Sequence, residues 1–191
     1  MFYYGFILLC VIILSVVDSL AVAPLFDLSW WYFPLFVVCS VVAVIIVDGL
    51  FAFISRWILP KKWFNSPAKI FAAGKKKMRF YEKIGIKKWK DRIPELGFLT
   101  AFRKNKIFDP KNNEYVLRYI MEANYGVVVH ATGIVFGFLI ILIFPKFWYC
   151  VGLPVAVINA IYNYLSFIIL RYNLPKLHTL YKYNQRKNVQ E

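Results

Sequence analysis

The sequence predicts an all-α integral membrane protein, with four transmembrane helices and a basic, partly helical cytoplasmic segment between the second and third. Three observations predict it. Of the 191 residues, 60% are hydrophobic and the mean hydropathy is +0.56, which argues against an ordinary soluble domain. The apolar residues gather in four long runs. Of the 24 Lys and Arg, only Lys146 falls among those runs and the short loops joining them, and the rest lie in one central segment and one tail.

The first run covers residues 2–23, the second 31–54, the third 127–144 and the fourth 147–170. At a helical rise of 1.5 Å per residue these lengths give about 27–36 Å, enough for a hydrocarbon layer of about 30 Å. Helices satisfy their own backbone groups, which lipid cannot do. Trp30, Trp31 and Tyr32 open the second run, and Phe147, Trp148 and Tyr149 open the fourth. Such aromatic belts sit at headgroup level. Ala21-Val22-Ala23 imitates a signal-peptide cleavage site. No basic residue precedes the run, it is longer than such segments, and Pro24 would follow the cut, so the expectation is an uncleaved anchor.

Charge sets the orientation. No Lys or Arg occurs from Met1 through Ser55, whereas Arg56 to Arg118 carry many, including Lys75-Lys76-Lys77 and Lys87-Lys88-Trp89-Lys90. The positive-inside rule then places the central segment and the C-terminus of this multi-pass protein in the cytoplasm, and four crossings bring the N-terminus to the same side. The chain divides into a transmembrane hairpin (1–54), a basic interfacial segment (55–125) and a second hairpin with a basic tail (126–191). The formal charge of +14 reads as contact with anionic membrane lipids, at about 1 kcal/mol for each juxtamembrane Lys or Arg, and not as nucleic-acid binding. Cys10, Cys39 and Cys150 lie in apolar runs without a pairing pattern and are expected as free thiols. No metal-ligand spacing, glycine-rich phosphate loop or internal repeat is present, which leaves a reductase or methyltransferase without a nucleotide-binding pattern.

Within the basic segment, Ser66-Pro67 predicts the start of a helix over residues 67–84, whose Ile70, Phe71, Met78, Phe80 and Tyr81 among lysines suit the membrane surface. Asn112 or Asn113 can cap a second helix, with Val116, Tyr119, Ile120 and Ala123 recurring at three and four, that runs into the third span either unbroken or with a break at Gly126. Between them, residues 87–97 are either a solvated charged turn or an interfacial site. In the second case Trp89 anchors at headgroup depth and Lys88, Lys90 and Arg92 hold phosphate or carboxylate.

Polar groups inside a membrane are costly and point to function. Asp18, near the outer end of its span, can reach outside water. Asp48 precedes Arg56 by eight residues and Asn163 precedes Arg171 by eight, so each lies about 12 Å below the cytoplasmic surface. Asn159 shares a face with Asn163 one turn deeper. His130 lies about 6 Å into the third span. Asp48, His130 and Asn163 thus form a candidate layer, although Asn also serves helix packing and a shallow His also meets headgroups. Glu122 can orient His130 only if Gly126 breaks the helix, because eight residues on a straight helix lie about 12 Å apart and roughly 80° round. Otherwise Asp48 is the better orienter. A His at this depth suits acyl transfer, since it can take the proton of a lipid hydroxyl attacking a thioester near neutral pH, with Asn or Tyr stabilising the oxyanion. The His with Asp five positions on that marks glycerolipid acyltransferases is absent: Val135 follows His130 at that spacing, and Tyr183 follows His178.

Three motifs carry a family resemblance. Lys87-Lys88-Trp89-Lys90-Asp91-Arg92-Ile93-Pro94, then Glu122 with His130 eight positions on, then Arg171-Tyr172-Asn173-Leu174-Pro175-Lys176-Leu177, resemble the glycosyl-4,4'-diaponeurosporenoate acyltransferase family over residues 55–182 in order and spacing. The last motif is the most specific. Where the family pattern has Arg-Ala-Glu, this chain has Tyr125-Gly126-Val127. The resemblance implies a membrane acyltransferase moving a fatty acyl chain to a sugar hydroxyl of a glycosylated carotenoid or related glycolipid. It implies acyl-CoA or an acyl-carrier thioester as co-substrate and no bound cofactor or metal. The expected catalytic residues are His130, Glu122 and Asp48. The expected substrate-binding residues are Lys88, Trp89, Lys90, Arg92, Asn163, Arg171 and Asn173, with Arg171 and Asn173 fixing the tail and Leu174-Pro175 ending the fourth helix. The rival class is a non-catalytic scaffold or lipid-binding subunit of a lipid or carotenoid pathway. The oligomeric state stays open, since Gly133 and Gly137 form a small-xxx-small pair able to pack against any helix.

Overall fold

The computed structural model describes residues 2–93 and 107–190, with side chains for 5–93 and 107–187. Pro94 to Gly97, the end of the stretch read above as a turn or interfacial site, lie outside the described residues. The described residues are helical, with no strand among them: α1 (Phe2–Val17), α2 (Tyr32–Phe53), α3 (Lys75–Lys83), α4 (Ile86–Trp89), α5 (Asn113–Phe136) and α6 (Leu153–Gln190), joined by 3-10 and π turns. Four helical stretches are long and apolar enough to cross a membrane: Gly5–Phe26, Tyr32–Ile58, Asn113–Leu142 and Pro145–Lys187. They contain or closely overlap the four predicted runs. The three cysteines are free.

The chain folds as two compact units. The first comprises Met1–Phe51 and Ala131–Tyr164. Its core joins Phe33, Val37 and Val44 of α2 to Ile140, Phe147, Val151, Val155 and Ala156. Phe147 lies edge-on to Phe33 with centroids 5.3 Å apart and stacks on Phe36 at 5.4 Å. Trp30, Trp31, Trp148 and Tyr149 are exposed, as a headgroup belt requires. Asp18 does not reach water as expected: it opens a π turn over Asp18–Val22 and is buried. The wider turn rotates its side chain inward.

The second unit comprises Ala52–His130 and Leu165–Glu191. Val116, Tyr119, Ile120, Ala123 and Val127 of α5 pack on Leu170, Leu174 and Leu177 of α6, which is the three-and-four spacing read from the sequence. Asn112 starts α5, its Oδ1 accepting the Tyr115 N–H at 3.1 Å. Two expectations fail here, and one open alternative is closed. Ser66-Pro67 opens no helix: the segment turns irregularly until α3 begins at Lys75, because the Asn124 amide takes the carbonyls of Phe64 and Ser66 at 2.9 and 3.0 Å and holds that chain against α5. Gly126 breaks nothing, and α5 runs through it to Phe136, since one glycine costs a helix only about 1 kcal/mol. Pro175 does not end the fourth helix either. It lies inside α6, which continues to Gln190.

Gly85 does what a helix-ending glycine should. It adopts φ +73°, and its N–H donates to Glu82 O at 3.0 Å while Ile84 N–H donates to Phe80 O at 3.0 Å. The left-handed residue closes α3 and lets α4 start in a new direction.

Candidate functional site

In the first unit, helices meet around a polar interlock. Asn163 Nδ2 on α6 donates to Asp48 Oδ2 on α2 at 3.0 Å and to Asn159 Oδ1 at 3.1 Å. α5 and the turn after it supply the floor. A Cβ on Gly133 would lie 2.9 Å from the Asn163 amide group, and one on Gly137 would lie 2.6 Å from Asn159 Nδ2. The Gly133/Gly137 pair left open in the sequence is therefore occupied within the chain, one glycine seating each asparagine. Asp48 and Asn163 are brought together as expected. Asp48 keeps its second oxygen, Oδ1, buried without a hydrogen-bond partner among the described residues.

In the second unit, Glu122 is claimed by an arginine that sequence reasoning passed over. Arg56 Nη2 meets Glu122 Oε2 at 2.7 Å, and its Nη1 donates to Oε1 at 3.2 Å. This fork-to-carboxylate geometry suits Arg. The guanidinium also lies 5.5 Å from the centroid of the Tyr125 ring, which stacks on Phe64 at 4.2 Å. A signal for this existed. Arg56 is the first cation of the chain and Glu122 is the only acid in the expected α5 stripe between Glu114 and the third span, and a buried charge needs a partner. With α5 unbroken at Gly126, the condition under which Glu122 would orient His130 is not met. His130 itself is half-buried on α5.

The Arg171 motif turns out to be an anchor built on its own proline. Pro175 has no N–H, so the carbonyl of Arg171, four residues before it, lacks its helical donor. Ala73 N–H supplies the missing bond at 2.9 Å. The Arg171 Nη2 donates to Ala72 O at 3.0 Å, and the guanidinium lies 5.2 Å from the Phe167 ring centroid. One residue of α6 thus grips the peptide before α3 from both sides. Tyr172, fully buried, donates its hydroxyl to Glu82 Oε1 at 3.1 Å, and Lys87 Nζ lies 3.0 Å from the same oxygen. Lys87 and then Tyr172 hold the Glu82 carboxyl below its usual range, and Glu82 in turn holds the Lys87 ammonium above its own. Leu174 and Leu177 enter the core, and Asn173 is half-buried. Sequence could have found the Arg171 carbonyl from the proline four residues on. It could not have found Ala72 and Ala73 as partners, about a hundred residues away.

The basic stretch is divided in its uses. Lys88 and Arg92 are exposed. Lys90 Nζ is bound to Asp91 Oδ1 at 2.6 Å. The Trp89 indole N–H donates to Ile84 O at 3.2 Å, which ties the ring back to the end of α3.

Comparison with known proteins gives one match. Residues 60–183 fit the family model described as glycosyl-4,4'-diaponeurosporenoate acyltransferase, a stretch that includes all three motifs. No curated protein and no solved structure matches the chain.

Proposed function

The chain belongs to the glycosyl-4,4'-diaponeurosporenoate acyltransferase family, whose model covers well over half of it, and from that membership we propose a membrane acyltransferase with His130 as general base. The family implies acyl transfer to a glycosylated carotenoid. In the proposed reaction a sugar hydroxyl of the membrane-held acceptor, a glycosylated carotenoid or related glycolipid, attacks the carbonyl carbon of a fatty acyl thioester. His130 takes the hydroxyl proton as the new C–O bond forms. The tetrahedral adduct collapses with cleavage of the C–S bond, and the imidazolium returns the proton to the departing thiolate. Ester and free thiol are the products.

The donor is acyl-CoA or an acyl-carrier thioester, with its phosphates on Lys88 and Arg92, exposed cations of the basic stretch, and on Lys90 if it leaves Asp91. Trp89, tied to Ile84, sets the attitude of that stretch. Asp48 retains an unused acceptor oxygen, which a substrate hydroxyl needs, and Asn163 holds that carboxylate in place. Glu122, ion-paired with Arg56, serves as a positioning residue of α5. Arg171 and the motif around Asn173 position the segment that leads into the basic stretch.

The observation that carries this reading is the family match across residues 60–183, with His130 inside it as the only histidine of the apolar runs. One observation favours a non-catalytic scaffold or lipid-binding subunit instead. Tyr125, standing where the family pattern has Arg, is committed to the stack on Phe64 under Arg56. Extracted lipids of cells that make a glycosylated carotenoid acid decide between them. Expression of the chain should yield the acylated product, and His130→Ala should lower its yield by about 100-fold or more. Equal product from His130→Ala rejects the general base, and none from the native chain rejects the enzyme.

A further inference from the structure

Three pairs of neighbouring residues in the second unit split the same way. In Trp63-Phe64, Ile70-Phe71 and Phe80-Tyr81 the second member serves the interior. Phe64 and Tyr81 are buried, and Phe71 stacks on Phe64 at 5.8 Å. The first member is left out: Trp63 is 54% exposed, Ile70 76% and Phe80 54%. Trp57 and Ile58, ending the apolar stretch Tyr32–Ile58, are exposed as well. Of the five residues the sequence offered to the membrane surface, Phe71 and Tyr81 thus face the protein, while Ile70 and Phe80 do not.

The core of this unit closes without the outward members, so in water they are only a cost. Their surroundings name what covers them. From Arg56 to Lys83 the chain carries nine cations and a single carboxylate, Glu82, which is already bound by Tyr172 and Lys87. Large apolar side chains set among unopposed lysines match a headgroup layer of negative charge, with the rings at the acyl boundary and the ammonium groups among the phosphates. The chain also enters this region directly from a membrane span, through Trp57 and Ile58.

We propose that Trp57, Ile58, Trp63, Ile70 and Phe80, framed by Lys61, Lys62, Lys69 and Lys75–Lys77, form a docking face for the anionic leaflet of a bilayer. The segment between the second and third spans is then half-embedded, and anionic lipid is its partner. Acyl transfer plays no part in this inference, so the two can fail separately.

The test uses the full chain in lipid nanodiscs, with Cys10, Cys39 and Cys150 replaced by Ala. Single cysteines at Ile70, Phe80 and, as an aqueous reference, Arg186 carry a nitroxide whose relaxation by oxygen and by a water-soluble nickel chelate is measured. In discs containing phosphatidylglycerol, the oxygen-to-nickel ratio at 70 and 80 should exceed that at 186 by roughly tenfold, as for side chains at the acyl boundary. In purely zwitterionic discs it should fall towards the reference. Ratios at 70 and 80 equal to that at 186 overturn the proposal. Exclusion of both reagents also overturns it, since a protein partner or second copy would then cover the face. Indifference to phosphatidylglycerol overturns the choice of anionic lipid.

Discussion

Arg171→Ala isolates the anchor between α6 and the peptide before α3. The wild-type guanidinium gives Ala72 O a hydrogen bond of 3.0 Å from a charged donor, worth about 1.5–3 kcal/mol. Its approach to the Phe167 ring at 5.2 Å adds about 0.5–1 kcal/mol for a partly exposed pair. Arg171 is itself half-exposed, so water can reach Ala72 O after truncation and recover part of the loss. A net figure of about 2 kcal/mol remains, which is a rise of about 30-fold in the open population of the segment. The Arg171 carbonyl survives the substitution, so its bond from Ala73 N–H must loosen cooperatively if the two contacts act as one anchor. Trypsin cleavage at Lys75–Lys77 in nanodiscs reads that population, provided reclosing outruns cleavage. Amide exchange over residues 72–83 reads it without a protease. Arg171→Lys should fall between, because it keeps the charge but loses the planar fork. Cleavage and exchange within about threefold of wild type in Arg171→Ala would refute the anchor.

Two further outcomes follow from other contacts. Gly137→Ala places a Cβ 2.6 Å from Asn159 Nδ2, so the Asn159–Asn163–Asp48 interlock must shift, at about 1–3 kcal/mol. Thermal unfolding in detergent should show a lowered midpoint, and an unchanged one means that the interlock yields freely. The Glu82–Lys87–Tyr172 cluster makes α3 docking depend on pH in two places. The Glu82 pKa is depressed in the fold, so its contribution is present above the ordinary 4.5 and is lost as pH falls below it. The Lys87 pKa is raised, so its contribution is present below 10.5 and is lost as pH climbs past it. A nitroxide on α3 should therefore loosen at both extremes, and Glu82→Gln should abolish the acid limb. An unaltered acid limb in that variant assigns the loosening to other groups.

The helices were legible because bilayer thickness and hydropathy constrain them locally. The α5 stripe at Val116, Tyr119, Ile120 and Ala123 was legible from its three-and-four spacing, which puts those residues on one face of a helix. Asp48 and Asn163 could be put with His130 in one layer from depth, since each of the two lies eight residues before the cation that follows its run, and the structure joins the two directly. Errors arose where a local rule met a distant partner. Ser66-Pro67 reads as a helix start, yet Asn124, some sixty residues away, takes the carbonyls of Phe64 and Ser66. Spacing along its own helix sets Glu122 against His130, while its counter-ion comes instead from the π turn Ile54–Ile58 after α2.

Pro175 shows why the most specific motif was also misread. A proline ordinarily marks the end of a helix because it leaves a carbonyl unbonded and crowds the preceding turn. Here Ala73 N–H satisfies that carbonyl from outside, the arginine at the same position binds the adjoining peptide, and the next residue, Tyr172, reaches Glu82 on α3. Arginine, tyrosine and proline at these spacings are thus parts of one attachment between α6 and the basic segment. The motif therefore identifies the architecture that carries the basic stretch.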